Sequence, residues 1–320
     1  MRSIGLFLAI CLSACGTGAP VVPATSGELW QDARIFGAVG DTIQAARSTV
    51  LVEMYEFGRR DLVLALIAAR TRGAEVRVLL DPTVPPTLVA GRQLAAAGVP
   101  VRFYPVDDHA LQIDHVKLLI GDDRALVGGM NWGATSARNH DYALLLRKPA
   151  DLRRLAAIFE QDWALAGGSP EPLAAVAGPI VQTAPGSEIR RLLESALASA
   201  GDRIEAELFD LTDPDLQLLL ERARRRGVGV RVLLDPGQAV NRPAHAELQR
   251  ATVAVRWFRP GLGAKLHAKA VLADSLLILG SANWSHHGLD VNHELDVATG
   301  DAEAVTAYAA RFEADWQAAA

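Results

Sequence analysis

Cysteine is nearly missing from this 320-residue chain. Its two copies, Cys11 and Cys15, both fall within the first fifteen residues, so the remainder can form no disulfide and must be held by packing and hydrogen bonds. Lysine is almost as scarce. Of 32 basic residues, only Lys117, Lys148, Lys265 and Lys269 are lysines. An excess of positive charge is also lacking: the formal net charge is −5 and the pI about 5.9. That excludes a general attraction to nucleic acid, while leaving room for a local basic groove. No apolar run downstream of the N-terminus reaches the roughly 20 residues a spanning helix needs. Apolar side chains are abundant, at 50% of the sequence, enough for one large domain or two ordinary ones.

The N-terminus is built differently from the rest. Arg2, an apolar stretch from Ile4 to Leu12, and then Leu12-Ser13-Ala14-Cys15 have the order of a secretory signal peptide: basic start, short apolar run, small residues at the cut. The end resembles a bacterial lipobox, in which Cys15 is lipidated and becomes the mature N-terminus. Residues 16–27 (GTGAPVVPATSG) read as a flexible tether that reaches about 40 Å when extended. The expected address is the cell envelope, as a lipid-anchored extracytoplasmic protein of the outer membrane or cell surface.

The body is written twice. Val76-Arg77-Val78-Leu79-Leu80-Asp81-Pro82 returns as Val230-Arg231-Val232-Leu233-Leu234-Asp235-Pro236. Glu53-Met54-Tyr55 matches Glu207-Leu208-Phe209, and Val101-Arg102-Phe103-Tyr104 matches Val255-Arg256-Trp257-Phe258. Each copy alternates strand-like and helix-like runs: a strand over 49–57, a helix over 61–72 stopped at Gly73, a strand over 75–81, a helix over 88–97, and a strand over 101–104. This alternation predicts an α/β fold with a mostly parallel, covered sheet in each copy. Helices over 152–165 and 302–316 close the copies, which gives domains at 28–167 and 168–320. Duplication suggests a pseudo-two-fold, with equivalent residues meeting at the axis.

Chemistry concentrates in one constellation. The first copy carries His115-x-Lys117-x4-Asp122, then Gly128-Gly129-x-Asn131-Trp132; the second carries His267-x-Lys269-x4-Asp274, then Gly280-Ser281-x-Asn283-Trp284. Two matches in register within a repeat exclude coincidence. Two of the four lysines stand here, which points to a demand for a compact ammonium. Residues i and i+2 of a strand share a face, so histidine and lysine project together. The Gly-Gly or Gly-Ser pair would let backbone approach a ligand, and Asn131 or Asn283 could donate to an oxyanion. Imidazole, ammonium and amide on one surface suit a phosphodiester. Ser281 stands where the first copy has Gly129, so its hydroxyl could contact phosphate on one side only and give the halves unequal roles. Glu53 and Glu207 recur at equivalent strand positions and read as structural. Trp132 and Trp284 read as packing beneath the site.

This pattern resembles the HKD motif of the phospholipase D superfamily in both copies, over nearly the whole mature chain. The resemblance implies two tandem α/β/α sandwich repeats about a pseudo-two-fold, with one shared active site at their interface and no metal or cofactor. One histidine would attack phosphorus to form a phosphohistidine; the other would protonate the leaving alcohol and then activate water. The first-motif histidine is usually the nucleophile, which assigns that role to His115. Asn139-His140-Asp141 matches Asn292-His293-Glu294, and a carboxylate in this region accepts a hydrogen bond from the imidazole. The expected partners are Asp141 for His115 and Glu294 for His267, the latter raising the pKa of His267. By the same resemblance, Asp122 and Asp274 support the fold. The expected substrate is phospholipid at a membrane surface, hydrolysed or transferred, with an extracytoplasmic nuclease as the alternative and a cardiolipin synthase-like transferase as a third reading. A monomer would contain its own pseudo-dimer.

Overall fold

A computed structural model describes residues 23–183 and 187–320. Cys15 and the whole signal-like segment lie outside the described residues. The first half runs β1 (Glu28–Gln31), α1 (Ile35–Ala45), β2 (Thr49–Met54), α2 (Arg60–Thr71), β3 (Glu75–Leu80), α3 (Pro85–Ala96), β4 (Val101–Phe103), β5 (Lys117–Ile120), β6 (Ala125–Gly128), β7 (Tyr142–Leu146) and α4 (Pro149–Ala166). The second runs β8 (Ile180–Gln182), α5 (Glu188–Ser199), β9 (Arg203–Leu208), α6 (Pro214–Arg225), β10 (Gly229–Leu234), α7 (Asn241–Arg250), β11 (Ala254–Trp257), β12 (Lys269–Ala273), β13 (Leu276–Gly280), β14 (Leu295–Thr299) and α8 (Ala302–Ala318).

Local signals account for most boundaries. Gly73 takes φ +100 just after α2, and Gly227 takes φ +96 just after α6, the left-handed conformation that ends a helix without strain on a Cβ. Helix α3 starts three residues before the expected Leu88, because Pro85 and Pro86 occupy its first turn. There the missing N–H costs nothing and the fixed φ is already helical.

Among the described residues each half forms one seven-stranded sheet, and the two sheets share one topology: β1-β7-β6-β5-β2-β3-β4 and β8-β14-β13-β12-β9-β10-β11. The sheets are mixed, which corrects the expectation of mostly parallel pairing. Parallel pairing is confined to β2-β3-β4 and β9-β10-β11. The motif strands arrive as hairpins (β5-β6 and β12-β13) and add antiparallel to β2 and β9, since a tight turn cannot make the crossover that parallel strands require.

Each half has an outer core of its own, under α1–α3 and under α5–α7. A third core lies between the halves and mixes Leu118, Val127 and Leu144 with Leu233, Leu272 and Leu279. Helices α4 and α8 close it with Phe159, Phe312 and Trp316. The division near residue 167 therefore separates two chain segments that share a core.

The proposed tether ends sooner than expected. Thr25 is buried, donates its N–H to Ala298 O at 2.9 Å and accepts from Gly300 N and from the Thr299 hydroxyl. Its own hydroxyl donates to Asp151. Residues 25–27 thus belong to the folded body, because their backbone extends the edge of the second sheet and leads into β1.

Candidate active site

Both motif histidines sit two residues before the start of their strand. Register pairs Lys117 with Met54 and Lys269 with Leu208, which places Tyr55 and Phe209 beside the segments that carry the histidines. Those segments are then clamped from the opposite half. His115 N donates to His293 O at 2.8 Å and His293 N to Ile113 O at 2.9 Å; His267 N donates to His140 O at 2.8 Å and His140 N to Lys265 O at 2.8 Å. Two short β-bridges, Asp114 with His293 and His140 with Leu266, therefore join the halves at the site.

The side chains cross in the same way. His115 Nδ1 lies 2.9 and 3.0 Å from the carboxylate oxygens of Glu294, and His267 Nδ1 lies 2.7 Å from Asp141 Oδ2. This reverses the expected partners, Asp141 for His115 and Glu294 for His267: each histidine is oriented by the other half. The reason is the bridge geometry. Bonding His293 to Ile113 and His115 brings Glu294, the next residue, to His115. A carboxylate at Nδ1 selects the Nδ1–H tautomer and leaves the Nε2 lone pair toward the site.

All four motif side chains are buried, and that sets their protonation. Burial, then the ammonium groups of Lys117 and Lys269, hold His115 well below the ordinary imidazole range. Burial and Lys269 take His267 down to about 3, even though Asp141 pulls the other way. The expected rise for His267 is thus overturned: Glu294 is not its partner, and Lys269 Nζ stands 3.1 and 3.2 Å from its two ring nitrogens. Burial lowers Lys117 to about 7 against the pull of Glu294, lowers Lys269, and raises Glu294 to about 7. Because the lysine of each motif depresses the histidine of the other, the two motifs form one electrostatic unit. A phosphodiester anion entering it would stabilise both ammonium groups and an imidazolium.

The small motif residues have a packing role rather than the expected approach to ligand. A Cβ at Gly128 would lie 2.3 Å from Tyr142 O, at Gly129 2.4 Å from Asp141 Oδ1, and at Gly280 2.1 Å from Asp296 Oδ1. Glycine here lets β7 and β14 pack close and gives Asp141 its room. Ser281 is fully buried and donates to Glu294 Oε2, so its hydroxyl serves the carboxylate and not phosphate as expected. Asn131 Nδ2 donates to Glu56 Oε2 at 3.2 Å rather than pointing free toward an oxyanion; Asn283 has no hydrogen-bond partner at Oδ1. Asp122 accepts from the backbone N–H groups of Arg47, Ser48 and Thr49, and Asp274 from those of Gly201, Asp202 and Arg203, at the far ends of the hairpins. Trp132 and Trp284 pack in the outer cores.

Several residues of the site carry no motif signal. Asp81 Oδ2 accepts from Asp114 N at 2.8 Å, and Asp235 Oδ2 from Leu266 N at 2.7 Å; each pins the residue just before a motif histidine. Tyr55 meets the His115 ring edge-on at 4.9 Å, and Phe209 tilts against His267 at 5.0 Å. Both pairs lie within the repeated runs, and their recurrence was the signal available.

The profile of the family described as "Cardiolipin synthase, PLD-like domain" matches residues 39–163 and 193–316. A mitochondrial cardiolipin hydrolase of Mus musculus is 33% identical over 132 residues, 41% of this chain and 59% of that protein. A probable cardiolipin synthase of Bacillus subtilis (strain 168) is 25% identical over 323 aligned positions, 88% of this chain and 64% of that protein. The chain thus matches less than two thirds of the length of either relative. Among solved structures, phosphatidylserine synthase of Haemophilus influenzae Rd KW20 superposes with a TM-score of 0.67 at 13% identity, covering 91% of this chain and 86% of that one, a likeness of fold.

Proposed function

Since the chain belongs to the PLD-like domain family of cardiolipin synthase, whose profile spans both halves, we propose that it is a phospholipid phosphodiesterase working through a phosphohistidine. The observation that carries this reading is the crossed pair of imidazoles, each with Nδ1 on a carboxylate of the other half, above two buried lysines. The cardiolipin-directed names of the mouse and Bacillus relatives support a phosphatidyl substrate.

In this mechanism Lys117 and Lys269 bind the non-bridging oxygens. Neutral His115 attacks phosphorus through Nε2, the bond from phosphorus to the head-group oxygen breaks, and His267, protonated once the anion is bound, gives its proton to the leaving alcohol. His267 then takes a proton from water, or from an acceptor alcohol, whose oxygen displaces His115 and releases phosphatidate or a new phosphodiester. His115 is assigned as nucleophile because it belongs to the first motif and, among the described residues, no lysine Nζ is hydrogen-bonded to its ring. Each lysine donates to the carbonyl of its own motif histidine, but Lys269 Nζ also sits against both ring nitrogens of His267. Asn131 and Asn283 flank the phosphate in this proposal.

Access to a bilayer fits the loops that precede each motif. Leu111 is 73% exposed and Leu262 fully exposed, four and five residues before His115 and His267. Lipidation at Cys15 and a cell-envelope location are part of the same proposal. Among the described residues no helix is long and apolar enough to cross a membrane, and the postulated anchor lies outside them. Loss of detergent-phase partition in Cys15→Ala is the expected result, and unchanged partition would remove the anchor.

Vesicles of phosphatidylcholine, phosphatidylglycerol or cardiolipin, and single-stranded DNA, should be offered to the full chain in parallel, with and without added glycerol. Release of head-group alcohol, or its exchange for glycerol, is the expected result. Cleavage of DNA with no lipid turnover would make the enzyme a nuclease.

A further inference from the structure

Next to each motif histidine the chain buries a second imidazole, and the two copies are completed differently. In one, His140 Nε2 lies 3.2 Å from Glu207 Oε2 and 3.4 Å from Asp315 Oδ2, while Nδ1 meets Asp32 Oδ1 at 2.7 Å. The Tyr142 hydroxyl donates to Glu207, and Arg311 ties Asp32 to Asp315. Three carboxylates are thus balanced by an imidazole and a guanidinium.

The equivalent cluster is His293 with Glu53 and Asp162, joined by Asp114, and it lacks those two additions. Counting 153 residues along, Leu295 stands for Tyr142, and Ile158 for Arg311. His293 Nε2 is 3.0 Å from Asp162 Oδ2 and 3.6 Å from Glu53 Oε1. Glu53 is 0% exposed, yet no N–H or hydroxyl donor reaches either of its oxygens or Asp114 Oδ2, and the two carboxyl groups face each other. Ligand-type atoms of Glu53, Asp114 and His293 all lie within 4.8 Å of one another.

Buried carboxylates without partners are costly, and the cost is relieved by a proton or by a cation. We propose that Glu53, Asp114 and His293 bind one divalent first-row metal ion, with Asp162 beside the imidazole, and that the ion takes the charge-balancing place that Arg311 holds in the other half. Two carboxylates and one imidazole are a donor set suited to Mn²⁺ or Zn²⁺. The ion joins two groups of the first half to one of the second, and so clamps the interface at the Asp114–His293 bridge. It is separate from phosphoryl transfer: Asp114 and His293 each precede a site residue, His115 and Glu294, and neighbours on extended backbone face opposite ways.

The test is calorimetric titration of the full chain, stripped with chelator and dialysed, with MnCl₂ and separately with ZnCl₂, together with elemental analysis of the protein as purified. One ion per chain and a higher melting temperature with metal are expected. Glu53→Gln and Asp114→Asn, both near-isosteric, should weaken binding at least tenfold, while Glu207→Gln leaves it unchanged. The melting measurement on the unaltered chain needs no variant and stands even where a variant misfolds. Failure of both ions to bind saturably to the unaltered chain would overturn the site, as would binding that survives both first-cluster substitutions or is lost in Glu207→Gln.

Discussion

The two halves present the same histidine and lysine at the start of the same strand, but they seat them differently. His115 leans on Glu294, whose longer side chain also receives the Ser281 hydroxyl and Asn292 Nδ2. His267 leans on Asp141, which is shorter and folds against Gly129. The extra methylene of the glutamate is matched by a serine, and the shorter aspartate by a glycine. The lysines differ less: both donate to the carbonyl of their own histidine, and Lys269 in addition lies against the His267 ring. Equivalent residues in a duplicated fold can thus be seated differently without changing the motif, and in the proposed mechanism this serves a nucleophile on one side and a proton carrier on the other.

Removing either imidazole should have the largest effect. His115→Ala and His267→Ala should each lower kcat by about 10⁴-fold or more, with the double variant little worse, as for residues that act as one unit. The halves separate when the leaving group is changed. A p-nitrophenyl phosphodiester, which needs little acid assistance, should rescue His267→Ala and leave His115→Ala inactive. Half the activity remaining in either variant would mean two independent sites.

The crossed carboxylates come next. Asp141→Asn and Glu294→Gln should each cost about 10²–10⁴-fold in kcat, because an amide can hold the wrong tautomer. Double-variant cycles on unfolding free energy then decide the pairing: His115 should couple to Glu294, and His267 to Asp141, while the pair His115 and Asp141 should be closer to additive. Strong coupling within each half would break the crossed arrangement.

A smaller effect lies in pH. Burial lowers Lys117 to about 7, so its ammonium is present below that value and lost above it. For the free enzyme, kcat/KM should therefore fall as pH rises through about 7, and Lys117→Arg should move that limb upward at a lower absolute rate. An unmoved limb would assign it to another group. The smallest change is the Gly/Ser exchange. Ser281→Gly removes one donor from Glu294 and should cost about tenfold, in keeping with a hydrogen bond to a charged group. Gly129→Ser should be worse, because its Cβ would lie 2.4 Å from Asp141 Oδ1; equal effects would mean that Asp141 simply moves aside.

Much of this was legible in the sequence. The repeat, the His-x-Lys pairs and the helix stop at Gly73 are local signals, fixed by spacing along one segment. The crossed partners were not legible, since a repeat shows which residues are equivalent but not which half they face; Asp141 satisfies the pattern equally well within its own half or across the axis. Sheet direction was misread because strand alternation does not distinguish a crossover from a hairpin followed by an antiparallel addition. The role of Gly129 depends on Asp141, twelve residues away, and that of Asp81 on the backbone of Asp114. Thr25 sits in a segment whose composition reads as linker, and its burial comes from contacts with Ala298 and Asp151 far along the chain.

The account turns on which imidazole carries phosphorus. Turnover of His267→Ala with a phosphorus-labelled p-nitrophenyl phosphodiester, quenched in alkali and digested, should give an acid-labile phosphoryl group on the peptide that contains His115. No label there, together with label at His267 in the reciprocal His115→Ala variant, would contradict the assignment and reverse the roles of the two halves.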